Sequence, residues 1–267
     1  MNNKPVIDFR RIVLDLRPGM DDEDRLRQIA ELARLLDVGV HGLFFEDEEL
    51  LSLAALPFAR EIRLPTFEWQ RLDMKQMAAD LRHAAERVRY RLEQVAHSAG
   101  VPSSFEILQG AYPLSHCYCA GDIVVEREPV RTEALEHTSY VLLMPPRLRW
   151  KGGPFAALIG PGQTAALEVA CRFALAAHNG LLLLSAQSGG LIDEAENRAV
   201  ALGIPRSRIT RILIKSEKAQ DIINPLLNVR QHFIVMSTSE ESDDAWEISL
   251  SLGVPVLLVR NNGIASG

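Results

Sequence analysis

The chain has 267 residues, of which 47% are hydrophobic and 24% charged, and its formal net charge is −6. This composition is typical of a globular protein with a substantial apolar core and excludes a fibrous chain. The acidic balance argues against nucleic acid as a partner, because such surfaces need clustered lysine and arginine. No apolar stretch reaches the roughly 20 residues that span a bilayer, and the first residues lack the core of a secretory signal. We therefore expect a cytoplasmic protein without a membrane partner.

The first half alternates buried apolar runs with amphipathic segments, as in a parallel sheet covered by crossover helices. The helix after the first strand opens with the acids 21–24, and Gly100 and Pro102 are expected to end a long helix. The predicted strands are Arg11–Leu16, Val38–Phe45, Ser104–Gln109, Asp122–Glu126 and Tyr140–Met144. Further helices are predicted over Glu49–Ala54, Trp69–Ser98 and Leu114–Cys119.

The second half repeats this order in shorter form. Its predicted strands are Phe155–Ile159, Leu181–Ser185, Ile209–Ile214, Phe233–Ser237 and Val254–Val259. Its predicted helices are Thr164–Ala177, Glu194–Leu202, Ala219–Asn228 and Asp244–Leu252. The repetition indicates an internal duplication. Because Pro145 and Pro146 and the glycines after them separate the repeats, we predict two α/β domains, residues 1–147 and 154–267. Each is expected to be a five-stranded, mostly parallel, Rossmann-like open sheet with helices on both faces.

Two segments resemble universal stress proteins. The start of the chain, RRIVLDL followed by RQIAELARLLDVGVHGLFF, resembles their opening strand–helix–strand unit, and ISLSLGVPVLLVR resembles their closing helix and strand. The resemblance implies two tandem domains of this family and a ligand crevice at the carboxyl ends of the strands. It also implies that Asp15 occupies the position of an aspartate that contacts adenosine in ATP-binding members.

The glycine-rich segment that wraps the ATP phosphates in this family is absent from both halves. After the fourth strand the first half reads EREPVRTEALEHTSY, without a glycine, and the second reads STSEESDDAWEISLSLG. Glycine is needed there because only a bare backbone brings several N–H groups against phosphate oxygens. Acids such as Glu126, Glu128, Glu240 and Glu241 stand in its place and repel phosphate. We predict that neither half binds ATP in the usual way, and no cofactor is expected.

The segment Gly160–Ala165, GPGQTA, fits a loose dinucleotide fingerprint after a strand. The acid that should end the next strand is missing, so a plain tight turn is the favoured interpretation. Gly160 and Gly162 nevertheless leave backbone N–H groups without acidic competition. Together with Ser237, Thr238 and Ser239, they are predicted to hold a small anion or polar ligand.

Asp15 and Arg17 are the candidate ligand residues of the first half. Asp15 either contacts a ribose or base edge or caps the following loop, and the sequence leaves both open. Arg17 either meets a phosphate or pairs with the acids at 21–24, and the second alternative is favoured.

The remaining reactive side chains do not form a recognisable site. Cys117 and Cys119 follow His116, but a structural zinc site needs four suitably spaced ligands, so buried thiols are favoured over a metal. His41 lies within a strand and is expected in the core or the cleft. No G-x-S-x-G elbow is present, and no catalytic residue is predicted.

The sequence therefore predicts a stress-associated, non-catalytic binding or regulatory protein. Its halves are expected to pack through their last strands as an intramolecular pseudo-dimer that can dimerise further, since exposed apolar edge strands invite pairing. Two alternatives stay open: a nucleotide-cofactor enzyme or redox protein using GPGQTA, and a receptor for a metabolite or lipid between Glu46 and Glu68.

Overall fold

The computed structural model describes residues 9–17, 23–46, 52, 56, 58, 60–63, 67–71, 73–109, 117–126, 138–148, 152–186, 189–238 and 243–260. The strands are β1 Arg11–Leu16, β2 Gly39–Glu46, β3 Arg60–Arg63, β4 Glu68–Arg71, β5 Ser103–Gln109, β6 Asp122–Glu126, β7 Tyr140–Leu143, β8 Phe155–Ile159, β9 Leu181–Ser185, β10 Ile209–Leu213, β11 Phe233–Thr238 and β12 Val256–Arg260. The helices are α1 Glu23–Leu36, α2 Met74–Ala99, α3 Thr164–Ala176, α4 Gly190–Ala201, α5 Ala219–Leu226 and α6 Asp243–Leu252.

Ten of these strands form one sheet in the order β10-β9-β8-β11-β12-β7-β6-β1-β2-β5. Within each half the spatial order is third, second, first, fourth, fifth strand, so both halves have the same doubly wound topology. Within each half, the pairings among the strands of this sheet are all parallel. The order of elements agrees with an internal duplication, and the fold is the predicted α/β architecture with a mostly parallel sheet.

The halves join through their last strands. β7 pairs with β12 in antiparallel register, with Leu142 opposite Leu257 and Val141 opposite Leu258. The expectation of two separate sheets is therefore corrected: hydrogen bonding continues across the seam between β7 and β12 and makes one sheet. The physical reason is the one expected for apolar edge strands, because pairing satisfies their backbone groups and covers their side chains.

One apolar core crosses this seam. On one face of the sheet, side chains of α1 and α2 from the first half and of α3 and α4 from the second belong to a single buried cluster. Phe9, which precedes β1, packs edge-on against Tyr140 at 4.8 Å and lies 6.1 Å from Phe173 of α3, measured between ring centroids. On the other face, α5 and α6 of the second half share a buried cluster with Val141 and Leu143 of β7. Buried side chains of the two halves thus pack together on both faces of the sheet.

The long helix α2 shows how local sequence sets its ends. The Asp73 side chain accepts hydrogen bonds from the N–H groups of Lys75 and Gln76, at 2.9 and 3.4 Å, and so begins the helix. Gly100 ends it in the left-handed conformation with φ of 70°, as its sequence position predicted. The predicted start at Trp69 is wrong, because Trp69 lies in β4, which pairs with β3 in an antiparallel hairpin. The short helices predicted over Glu49–Ala54 and Leu114–Cys119 lie largely outside the described residues.

Gly42 in β2 lies where the Leu92 side chain of α2 packs tightly onto the sheet. A Cβ atom there would lie 2.7 Å from both Leu16 Cδ1 and Leu92 Cδ2. We expect Gly42→Ala to lower the free energy of unfolding by about 1–3 kcal/mol through overpacking. The control is Gly190→Ala, where no atom lies within 4 Å of the added methyl group. Urea unfolding measures both, and a Gly42→Ala variant as stable as the parent would contradict this packing.

None of the described helices is long and apolar enough to cross a membrane.

Candidate functional site

Each half has a switch point where its strand order reverses, and we call the position beyond the carboxyl ends of the strands there its crevice. Ligands of doubly wound sheets bind there, beyond the carboxyl ends of the strands. In the first half the crevice lies between β1 and β6, whose last register pair is Leu14 with Val125. In the second it lies between β8 and β11, whose last pair is Ala157 with Val235. Because the seam is antiparallel, the two crevices lie at opposite ends of the sheet.

The crevice between β1 and β6 is acidic. Asp15 and Glu126 each follow the last register pair, so they occupy equivalent positions on neighbouring parallel strands. The Asp15 Oδ2 atom accepts from Arg17 Nε at 3.0 Å and lies 2.9 Å from Nη2. The other oxygen, Asp15 Oδ1, is buried and has no hydrogen-bond partner among the described residues. The structure thus brings Asp15 and Arg17 together. Of the acids at 21–24 that were considered as partners of Arg17, Glu23 and Asp24 contact Arg27, and Asp21 and Asp22 lie outside the described residues.

Tyr118 forms a wall of this crevice that sequence reasoning did not find. Its ring packs in a buried cluster with Val13, Leu43 and Val124, and only 8% of the residue is exposed. Burial raises the pKa of the Tyr118 phenol well above its usual range, and the negative charges of Glu126 and Asp15 raise it further. The phenol therefore stays protonated next to two carboxylates. It was missed because Tyr118 precedes β6 in a segment without periodicity.

Hydrogen bonds at the amino ends of β1 and β6 hold the segment that contains Tyr118 in place. Arg11 Nη2 donates to the Cys117 carbonyl at 3.2 Å, and the Cys119 N–H donates to the Asp122 carboxylate at 3.0 Å. Arg11 and Asp122 also form an ion pair, in which the aspartate is fully buried. The backbone around Tyr118 is thus fixed near Arg11 and Asp122, two register positions before Val13 and Val124, and its ring belongs to the buried cluster that contains both valines.

The crevice between β8 and β11 is closed by a side chain. Gly160 to Gln163 form a tight turn in which the Gln163 N–H donates to the Gly160 carbonyl at 3.1 Å and Gly162 has φ of +72°. These features are those of a type II turn, with Pro161 and Gly162 at its centre. The Gln163 side chain folds back over Gly160, with its Cδ atom 2.7 Å from the position a Cβ would take there. Gln163 thus occupies the space that a phosphate would need above Gly160.

The predicted serines and threonine follow β11 beside this turn. Ser237 is half-buried, and its Oγ has no hydrogen-bond partner among the described residues. The backbone of Thr238 ends β11, and Ser239 lies outside the described residues. The strand order therefore brings Ser237 and Gly160 to the same crevice, whereas Gly162 lies on the exposed side of the turn.

The three cysteines are free thiols, and the expectation that Cys117 and Cys119 are buried is wrong, because Cys117 is half-buried and Cys119 is exposed. Burial raises the pKa of the Cys117 thiol, with Glu106 adding to the effect, and burial raises that of Cys171 to about 12. Reactive cysteines instead have a thiol pKa below its usual value. Within the described part of the chain, no group of three or more histidines, cysteines and acids could hold a metal ion. His116 lies outside that part.

His41 lies in a polar cluster that its strand position did not reveal. Its Nδ1 is 2.7 Å from Ser104 Oγ, and its Nε2 is 3.6 Å from Glu106 Oε2. Burial lowers the pKa of His41, and the charge of Arg11 lowers it further. A hydrolase triad also combines serine, histidine and an acid, but there the serine faces Nε2 and the acid faces Nδ1. Here these contacts are exchanged, and Ser104 and Glu106 are exposed on the edge strand β5. We assign this cluster the structural role of joining β2 to β5.

These features define a duplicated, doubly wound α/β protein with one crevice in each half. Structure comparison then gives the fold: the chain has the fold of universal stress proteins. It is similar to a universal stress protein from Archaeoglobus fulgidus DSM 4304, with a TM-score of 0.64 and 13% identity over 95% of this chain and 98% of that one. A putative universal stress protein from Pseudomonas aeruginosa UCBPP-PA14 gives a TM-score of 0.55 and 14% identity over 95% and 94%.

A protein of unknown function from Pseudomonas aeruginosa PAO1 gives a TM-score of 0.54 and 14% identity over 95% and 93% of the two chains. No protein-family model and no curated protein matches the chain. The similarity thus covers both halves and the seam and is a similarity of fold.

Proposed function

We propose that this chain is a stress-associated, non-catalytic binding or regulatory protein of the universal stress protein type, which does not bind ATP in the usual way. The proposal also places it in the cytoplasm. The observation that carries it is the acidic crevice between β1 and β6. Asp15 and Glu126 lie side by side there, at the switch point where an ATP-binding relative would hold its nucleotide.

Electrostatics makes this crevice a poor site for a polyphosphate. Two carboxylates face it and one guanidinium, that of Arg17, already pairs with Asp15. Each phosphate oxygen brought within about 4 Å of a carboxylate meets a repulsion of about 1 to 4 kcal/mol, depending on the local dielectric. Phosphate sites instead use bare backbone N–H groups and cationic side chains.

In the second half the obstacle is steric. The Gln163 side chain lies over Gly160, and an incoming phosphate would have to displace it. The turn also closes its own hydrogen bond from Gln163 to Gly160, so that N–H is committed. No described residue of this crevice favours the dinucleotide alternative.

The receptor alternative between Glu46 and Glu68 likewise gains no support from the described residues there. Phe58 and Phe67 are 75% and 71% exposed, so these apolar side chains do not line an enclosed pocket.

We expect titration of the purified chain with Mg–ATP to give no saturable heat and no rise in melting temperature at millimolar ligand, because bound ligand would stabilise the native state. Gln163→Ala is the matched variant, since it uncovers Gly160. Binding that appears only in this variant would locate the obstruction at Gln163. A stoichiometric ATP adduct of the unaltered chain, by native mass spectrometry, would contradict the proposal.

A further inference from the structure

The hairpin of β3 and β4 stands apart from the rest of the described structure. Its strands pair with each other from Arg60 opposite Arg71 to Arg63 opposite Glu68. They form a sheet of their own and make no extensive contact with another described helix or strand. A two-stranded hairpin alone is only marginally stable in water and needs packing against a further element.

Large apolar side chains of this hairpin are exposed to solvent. Ile62 and Trp69 lie directly opposite each other on the two strands, and they are 47% and 64% exposed. Phe67, at the turn, and Phe58, just before β3, are exposed to a still greater extent. Since an aromatic side chain has roughly 150–250 Å² of surface, the three aromatic residues alone expose on the order of 400 Å². Exposed apolar surface of this extent on one element indicates an interaction site.

The charged residues of the hairpin favour a second copy of this chain as the partner. Both signs are present, because Arg63 lies opposite Glu68 and Arg60 is followed by Glu61. A surface with both signs can be complementary to itself, whereas anionic lipid and nucleic acid attract only positive charge. The net charge of −6 adds a repulsion between the chain and any anionic surface.

The register makes the hairpin self-complementary under a twofold axis. In such a contact, residue i of one copy meets residue j of the other, and j meets i. An axis through the Ile62–Trp69 pair brings the apolar centres of two hairpins together. Arg60 toward the base and Phe67 at the tip each lie two positions from this pair, so the base of each hairpin meets the tip of the other. A guanidinium over an aromatic ring is a favourable contact.

The exposed area also matches what a dimer needs. An interface of standard size takes about 800 Å² from each partner, and about two-thirds of a homodimer interface is apolar. The three aromatic residues and Ile62 supply most of this apolar area. The last strands of the two halves are not available for a contact between chains, because β7 and β12 already pair with each other within one chain.

We propose that two copies of this chain dimerise through the β3–β4 hairpin, face to face, about a twofold axis at the Ile62–Trp69 pair. The inference goes beyond the proposed function, because it names a surface and a partner that involve neither crevice.

The test is sedimentation velocity of the full chain over a series of concentrations. We expect a monomer–dimer equilibrium with a micromolar or lower dissociation constant, as for other interfaces of this size. Trp69→Ala should raise this constant about thirtyfold or more, because a tryptophan at the centre of an interface contributes strongly and the symmetry uses it twice. Arg60→Ala should raise it about fivefold, through two lost contacts with an aromatic ring.

Tyr90→Ala is the matched control, because it removes a similarly exposed aromatic side chain from α2. It should change the dissociation constant by less than about twofold. Far-UV circular dichroism checks that each variant keeps the fold. A chain that stays monomeric at the highest concentration, or a dimer that Trp69→Ala and Arg60→Ala leave unchanged, would overturn the inference. So would a monomer that binds phosphatidylglycerol vesicles through Trp69, because the partner of the hairpin would then be lipid.

Discussion

Shortening a buried leucine side chain at the seam between β7 and β12 is expected to destabilise the entire chain. Leu142→Ala or Leu257→Ala should each lower the free energy of unfolding by about 2–5 kcal/mol, through lost burial and the cavity that remains. Both leucines are fully buried and lie opposite each other in the antiparallel pair of β7 and β12. They also belong to the apolar cluster that contains helices of both halves. Either truncation should therefore weaken both halves together.

Chemical unfolding followed by two probes, far-UV circular dichroism and tryptophan fluorescence, measures this effect. We expect coincident transitions in each single variant and a double variant whose loss differs from the sum, since the two sites share one contact. Leu250→Ala is the control, because that side chain of α6 is 45% exposed. Two separate transitions, of which a single one shifts, would contradict a seam that couples the halves.

Acidification is expected to destabilise the chain through His232. Its ring stacks on Phe155 with centroids 4.9 Å apart, and burial lowers the pKa of His232 to about 4. The unfolded chain, with a value near 6.5, takes up the proton first as the pH falls. The stabilisation from neutral His232 is thus complete above pH 6.5 and is lost progressively between about pH 6.5 and 4. The difference between these values corresponds to at most about 3 kcal/mol, and screening by solvent at the unburied part of the ring makes the effect smaller.

The measurement is the free energy of unfolding at a series of pH values in this window. His232→Phe keeps an aromatic ring against Phe155 and should remove most of this part of the slope. A smaller slope of the same sign should remain from His41, whose pKa is also lowered. His97→Gln, at an exposed position on α2, should leave the profile unchanged. A His232→Phe variant with the full parental slope would refute the assignment.

The order of elements could be predicted from sequence because it depends on local patterns. β1, β6, β8 and β9 have their predicted bounds, since each is an apolar run that ends at a polar residue, a proline or a glycine. The start of α2 was misplaced because TFEWQR is ambiguous between a strand and a helix. The residue that fixes the start of α2 is Asp73, whose side chain accepts hydrogen bonds from the N–H groups of Lys75 and Gln76.

The single sheet and the contents of the crevices could be predicted only in part. The apolar last strands favoured pairing, but whether the sheet continues depends on the register of β7 against β12, which is set by packing across the whole molecule. The position of Asp15 could be predicted from its place at the end of β1. The contribution of Tyr118 and the folding of Gln163 over Gly160 could not, because both follow from side-chain directions in irregular segments.

The antiparallel seam has a consequence for how the molecule can act. A symmetric assembly of two identical chains must present two identical binding surfaces, so a substitution in one appears in both. Here a single chain carries both halves, and each crevice has its own residues, acidic in one and closed by glutamine in the other. Since the two crevices lie at opposite ends of the sheet, a ligand in one would not touch a ligand in the other. A substitution in one crevice can therefore leave the other unchanged.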